Sequence, residues 1–305
     1  PPPVPAGNIL DSEIFAMWNT TLTFAQARGG FGCEWDNNKK AGLTGVSDTI
    51  GAGYLADNNN ATGALGRNRV TKQVAPDDPL RRVLVVRGYK FDGLTSAAPR
   101  TEIGNWITTP GVIPIKQDFW FVIGVYFSQG FPITNEFVMA QWHTNGSSPA
   151  GYAGQPFFAI IVKGQNFQIQ QRWNANSTLN SGNTSYQVHN VGAITSGWNY
   201  FVVKARISPL ANDNPYLAMW RSQNGGALTQ VINPASFPNA RLGYTGFDNG
   251  DPPWQKFGHY PWGWDGANFW PDPLTRELFF RAPTYVDDTT SRYLPIDLLN
   301  FCANR

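Results

Sequence analysis

The run Asp118-Phe-Trp-Phe-Val-Ile-Gly-Val-Tyr-Phe127 decides the fold class. It is built from aromatic and β-branched side chains, shows no polar residue at helical spacing, and is far too short to cross a membrane as a helix. It reads as a β-strand. Runs of the same kind recur on either side of it, at Arg82–Arg87, Phe137–His143, Phe157–Val162, Phe167–Trp173, Asn199–Ile207, Tyr216–Arg221, Trp254–Tyr260 and Glu277–Val286. Gly, Pro and Asn separate them, and Asn224-Gly225-Gly226 after Met219-Trp220-Arg221 reads as a hairpin turn. Helical periodicity is scarce. The expectation is an all-β fold, a two-sheet antiparallel β-sandwich of the jelly-roll, concanavalin-like kind, with a concave sheet able to hold a chain-like ligand in a cleft.

All 305 residues are expected to form one domain, because no repeat and no Pro/Ser/Gly linker interrupts residues 80–290. The segment 35–80 is rich in Asn, Gly, Ala and Asp. With the residues before it, it is expected to form a loop-rich N-terminal part, about 1–80, packed on the sandwich.

Composition limits the partners. Hydrophobic residues make up 42% of the chain and charged ones 14%, and 23 Lys and Arg against 21 Asp and Glu leave a formal charge of +2. No global field recruits nucleic acid or an acidic membrane surface, so a polyanion must meet a local basic patch. No apolar run approaches the ~18–20 residues of a membrane span. A polar surface made of Asn, Gln, Ser, Thr and Gly, and an opening Pro1-Pro-Pro-Val-Pro that resembles a processed terminus, lead to the expectation of a secreted, monomeric protein. The two cysteines, Cys33 and Cys302, stand near opposite ends of the chain. A disulfide between them is expected, closing a loop worth roughly 4–5 kcal/mol; two unrelated buried thiols are the alternative.

Twelve Trp residues include several in polar segments, such as Tyr260-Pro-Trp262-Gly-Trp264. Such rings either plug the ends of a sandwich or line a cleft that stacks sugar rings. Three short segments add chemistry. In Arg100-Thr-Glu102, an extended backbone puts Arg100 and Glu102 on one face, where the carboxylate can orient the guanidinium; an ordinary ion pair would look the same. Gln141-Trp142-His143 ends an apolar strand with an amide and an imidazole on one face, able to hydrogen-bond a carboxyl group and move a proton near neutral pH. In Trp254-Gln-Lys256-Phe-Gly258-His-Tyr260, alternation aligns a ring, a cation, a gap and a phenol, and turns His259 to the other face as a structural residue.

Together these segments resemble the motifs Arg-Xaa-Glu, Gln-Xaa-His and Tyr-Xaa-Lys-Xaa-Gly-Xaa-Tyr of the jelly-roll polysaccharide lyases. That superfamily includes glucuronan lyases and heparin-lyase-I-like proteins and, more distantly, alginate lyases. The resemblance spans roughly residues 80–290. It departs from the pattern at Trp254, which stands where the family has Tyr, and at Gly104, where alginate-type enzymes often carry a second Arg.

The resemblance implies cleavage of a uronic-acid-containing polysaccharide by β-elimination. His143 and Tyr260 would move the protons, and Gln141 and Arg100 would neutralise the carboxylate. Lys256, Glu102, Trp254, Trp142 and Trp262 would bind substrate. No cofactor is required for this chemistry, although Asp287-Asp288 offers oxygen ligands for a structural Ca²⁺; two solvated turn carboxylates are the alternative. The motif strands supply few cations beyond Arg100 and Lys256, with Arg172 and Arg221 as further candidates. A non-sulfated, glucuronan-like polymer is therefore favoured over alginate, and alginate over a heparin-type glycosaminoglycan. A non-catalytic lectin-like domain would keep the aromatic cleft without aligning His143, Gln141, Lys256 and Tyr260. A glycoside hydrolase would require two carboxylates about 5–9.5 Å apart, and no cleft strand carries a closely spaced pair on one face.

Overall fold

A computed structural model describes residues 9, 14–17, 32–34, 70–89, 101–104, 113–131, 136–143, 156–175, 184–244, 253–260, 275–288 and 292–304. Sixteen strands and one α-helix lie among them. They are β1 (Ile14–Met17), β2 (Gly32–Glu34), β3 (Val70–Ala75), β4 (Asp78–Tyr89), β5 (Thr101–Gly104), β6 (Asp118–Phe127), β7 (Phe137–His143) and β8 (Phe158–Lys163). There follow β9 (Asn166–Asn174), β10 (Ser185–Ala193), β11 (Gly197–Arg206), β12 (Tyr216–Gln223), β13 (Thr229–Ile232), β14 (Gly243–Tyr244), β15 (Trp254–Tyr260), β16 (Thr275–Asp287) and α1 (Pro295–Ala303).

The strands form two sheets in the jelly-roll manner. The first runs β13-β12-β11-β6-β16-β4-β3, with β1 added beside β16. The second runs β10-β9-β8-β7-β15-β5-β2, and β14 joins β9 in parallel as the exception to antiparallel pairing. Between them lies the main core: Phe119, Phe121, Ile123, Val125 and Phe127 of β6, with Phe201 and Val203 of β11, meet Trp142, Phe158, Ile160, Phe167 and Phe257 of the second sheet.

The opposite face of β6 is buried too. Trp120 and Val122 join Trp198, Tyr200, Val202 and Val286 in a second apolar cluster, which Leu298, Leu299, Phe301 and Cys302 of α1 cover. This double burial explains why β6 reads as a continuous apolar run. Gly124 sits where the layers pinch: a Cβ there would lie 2.8 Å from Tyr200 Cε1 and 3.3 Å from Arg281 Cβ.

Two expectations need correction, and one element was not foreseen. The loop-rich part ends earlier than residue 80, because Val70–Ala75 pairs with β4 as an antiparallel edge strand; residues 35–69 lie outside the described part. The helix α1 has no counterpart in the strand pattern. Pro295 opens it and the Asp297 carboxylate accepts from the Leu294 N–H at 2.8 Å, a helix start of ordinary kind. The Cys33–Cys302 bridge is not formed. Cys302, a buried residue of α1 on the outer side of the first sheet, is not in a disulfide, whereas Cys33 belongs to β2, at the far edge of the second. Burial pushes the Cys302 thiol up to about 12. None of the described helices is long and apolar enough to cross a membrane.

Candidate active site

The outer face of the second sheet carries the polar motifs, and strand register decides which of them meet. β15 lies between β7 and β5. Lys256 stands directly opposite Gln141 on one side and Gly104 on the other, and Trp254 stands opposite His143. Cross-strand partners share a face, with Cβ atoms about 4.5–5.5 Å apart. Lys256, Gln141, His143 and Trp254 thus occupy four adjacent positions of one face. Gly258 is the partner of Glu102 on β5.

Two irregularities set this arrangement. Strict alternation along β7 would put Phe137 and Met139 on the same face as Gln141 and His143. The register shifts between Val138 and Ala140, however, so Phe137, Met139, Ala140 and Trp142 point into the core and the two polar residues point out. On β15 the register shifts between Phe257 and Tyr260, around Gly258 with φ +147°. That backbone conformation suits glycine, and it explains the glycine between the cation and the phenol. Beyond it, half-buried Tyr260 packs on Val138, Ala159 and Ile161, a small apolar floor on the same face.

Gln141 is 2% exposed, Lys256 4% and His143 9%. An amide, an ammonium and an imidazole are thereby gathered with little exposure to water, where electrostatic interactions are stronger than in bulk solvent. Such a set can bind a carboxylate through Gln141 and Lys256 while His143 and Tyr260 exchange protons with the sugar that carries it.

Other candidates fall elsewhere. Trp142, expected to bind substrate, is a core residue: it is fully buried, stacks on Phe158 with centroids 4.1 Å apart, and touches Phe119 and Phe121. Alternation with its neighbours Gln141 and His143 turns it inward. His259 also faces inward, stacked on Phe137 at 4.7 Å. Arg100 and Trp262 lie outside the described residues, as do the side chains of Glu102 and Trp254.

Arg221 cannot serve the cleft. It lies between the sheets over the Phe167 ring, donating to the carbonyls of Val191 and Ala193 and to Asn199 Oδ1, and desolvation pulls it down to about 10. Asp288 is buried against Lys204 at 2.5 Å, so an ammonium already stands where a cation would bind. Among the described residues no three His, Cys, Asp or Glu side chains gather in a metal-binding group.

The same face continues across β8 to β9 and β10, where Gln168, Gln170 and Arg172 pair with Asn190, Val188 and Tyr186. Sequence reasoning passed over Tyr186. The alternation of Tyr186, Val188 and Asn190 with buried His189 and Val191 is the signal that would have marked β10 as a strand with one open face.

A family model described as "Polysaccharide lyase" matches residues 61–281 of this chain. Among solved structures, the fold is similar to that of the endo-β-1,4-glucuronan lyase from the fungus Trichoderma reesei, with a TM-score of 0.57, 12% identity, and coverage of 78% of this chain and 91% of that one. An alginate lyase from Aplysia kurodai matches with a TM-score of 0.48 and 10% identity, over 72% of this chain and 87% of that one. Among curated proteins no sequence matches that of this chain.

Proposed function

The chain belongs to the polysaccharide lyase family, and from that premise we propose that it cleaves a non-sulfated, glucuronan-like polyuronate by β-elimination on the outer face of the second sheet. The observation that carries this reading is the register of β7 and β15, which sets Gln141 beside Lys256 and His143 beside Trp254, with Tyr260 beyond Gly258.

The C5 proton of a uronate is weakly acidic because its removal loads negative charge onto the adjoining carboxyl group. Gln141 and Lys256 donate to that group, and their interactions strengthen as the charge grows, so they act on the transition state rather than on the ground state. His143 or Tyr260 takes the C5 proton. The electron pair left on C5 forms the C4–C5 double bond, the C4–O bond breaks, and Tyr260 delivers a proton to the departing oxygen. The products are a new hydroxyl terminus and an unsaturated uronate end. Arg100 and Glu102 are assigned the supporting roles their motif implies, Arg100 as a further carboxylate donor and Glu102 as its orienting partner. Trp254 is assigned to stacking.

The preference for a non-sulfated polymer rests on charge. This face carries few cations, Lys256 and Arg172 among them. Lys163 is held by Glu136 at 3.1 Å, and Arg221 is locked between the sheets. Sulfated chains call for clustered basic groups. The fungal protein of similar fold is itself named a glucuronan lyase. A polymer substrate stays outside cells, which supports secretion of the enzyme.

The test is to incubate the purified protein with a panel of glucuronan, alginate and heparin-type chains and follow the ultraviolet absorbance of the conjugated double bond. The absorbance should rise fastest with glucuronan. Reducing ends without that chromophore would replace elimination with hydrolysis.

A further inference from the structure

We propose that Arg172, with Gln170 and Tyr186, forms a second carboxylate subsite on β9 and β10, which grips another uronate of the chain being cleaved. The inference rests on the lyase reading above and adds a specificity-determining residue to it.

Position follows from register. Gln141 pairs with Ala159 on β8, and Ala159 pairs with Gln170 on β9. Two residues further along the parallel strands β7 and β9 come His143 and Arg172, and Arg172 is the direct partner of Tyr186 on β10. A line drawn across the strands therefore passes Trp254, His143, Arg172 and Tyr186 in turn. Neighbouring strands lie about 4.8 Å apart, so the backbone of β9 is roughly 10 Å from that of β7. A polymer lying across the sheet with one sugar at His143 brings a different sugar to Arg172.

The chemistry of the site suits a carboxylate. Guanidinium has five N–H donors. One goes to the Pro156 carbonyl at 3.0 Å and one to Gln170 Oε1 at 2.7 Å, which leaves three. Those two bonds hold the guanidinium plane, so little side-chain freedom is lost when an anion docks. Among the described residues no carboxylate pairs with Arg172, in contrast to Arg206 on Asp118 at 2.7 Å and Arg281 on Asp77 at 3.0 Å. Beside it Tyr186 is 68% exposed, a ring on the ligand face of a strand whose other face is packed. An aromatic ring adjoining a fixed guanidinium offers stacking for a pyranose and a fork for its carboxylate.

The test compares the parent with Arg172→Ala, Arg172→Lys and Tyr186→Ala on long glucuronan, on the same polymer with its carboxyl groups partly methyl-esterified, and on the shortest oligouronate that is cleaved. On long chains Arg172→Ala should raise KM about 10- to 100-fold, the range of a charged hydrogen bond, with kcat within a few-fold. Arg172→Lys should recover part of the loss, and Tyr186→Ala should raise KM by a smaller factor. Methyl-esterification and shortening of the substrate should each shrink the difference between parent and Arg172→Ala. An unchanged KM, or an equal penalty on every substrate with an unaltered melting temperature, overturns the subsite. Binding of polyuronate by the parent, weakened in Arg172→Ala but yielding no unsaturated ends, overturns the lyase reading and leaves the subsite standing. Failure of the parent to bind any polyuronate overturns both.

Discussion

The two outer faces of the sandwich use the same materials to opposite ends. On the first sheet, Trp120, Val122, Trp198, Tyr200 and Val202 turn outward and α1 closes over them. A cation is buried there too, but it is already engaged: Arg281 donates to both oxygens of Asp77 at 3.0 and 3.1 Å, to Tyr200 Oη at 2.7 Å and to the Ala303 carbonyl, and lies over the Trp198 ring. On the second sheet the corresponding face carries Gln141, His143, Lys256, Gln170 and Arg172 around a small apolar floor. A sandwich needs one buried face per sheet. The second face is free, and here one is given to stability and the other is the face proposed for the ligand.

The largest effects should separate the two faces most sharply. His143→Ala and Tyr260→Phe should each lower kcat by about 10²–10⁴-fold on polyuronate, the usual scale of general acid–base catalysis, while thermal unfolding stays near that of the parent. If both variants remain folded and active, the ligand face has been misplaced. Leu298→Ala, on the helix and fully buried, should do the reverse: a loss of about 2–5 kcal/mol in denaturant unfolding, with kcat of the remaining folded protein unchanged.

The three histidines offer a sharper contrast through pH. His189 lies buried on the inner face of β10, hydrogen-bonded to Gln171 at 3.0 Å with its ring edge-on to Phe237, and burial lowers its pKa to about 4. In the unfolded chain it takes up a proton near pH 6.5, so between about pH 6.5 and 4 the unfolded state binds more protons and stability falls on acidification. The contribution is complete above pH 6.5 and amounts to at most ~3 kcal/mol. His189→Gln should remove that part of the acid loss in melting experiments and leave the pH profile of kcat as it was. A shifted kcat profile would tie His189 to the reaction instead.

The smallest expected effect is at Gly124. Its added methyl group would press on the Tyr200 ring and Arg281 under α1, costing about 1–3 kcal/mol in Gly124→Ala with no change in KM. A change in KM would mean that strain under the helix reaches the ligand face.

Much of this was legible in the chain itself. Apolar runs of strand length between Gly, Pro and Asn, with helical spacing nearly absent, establish a β-sandwich, because side-chain period and turn chemistry are local properties. Residue types at even spacing mark Gln141 with His143, and Lys256 with Tyr260, as members of shared faces for the same reason. Tertiary structure alone decided what those faces meet. Arg221 and Arg172 read alike along the sequence, yet one is consumed between the sheets and the other stands on the open face. Trp142 sits between two candidate site residues but belongs to the core, and Cys302 lies on a helix that covers the sheet opposite to that of Cys33. Non-local strand pairing and the layer a segment packs on depend on residues far apart in the chain, and no local pattern encodes which of two sheets a strand will join.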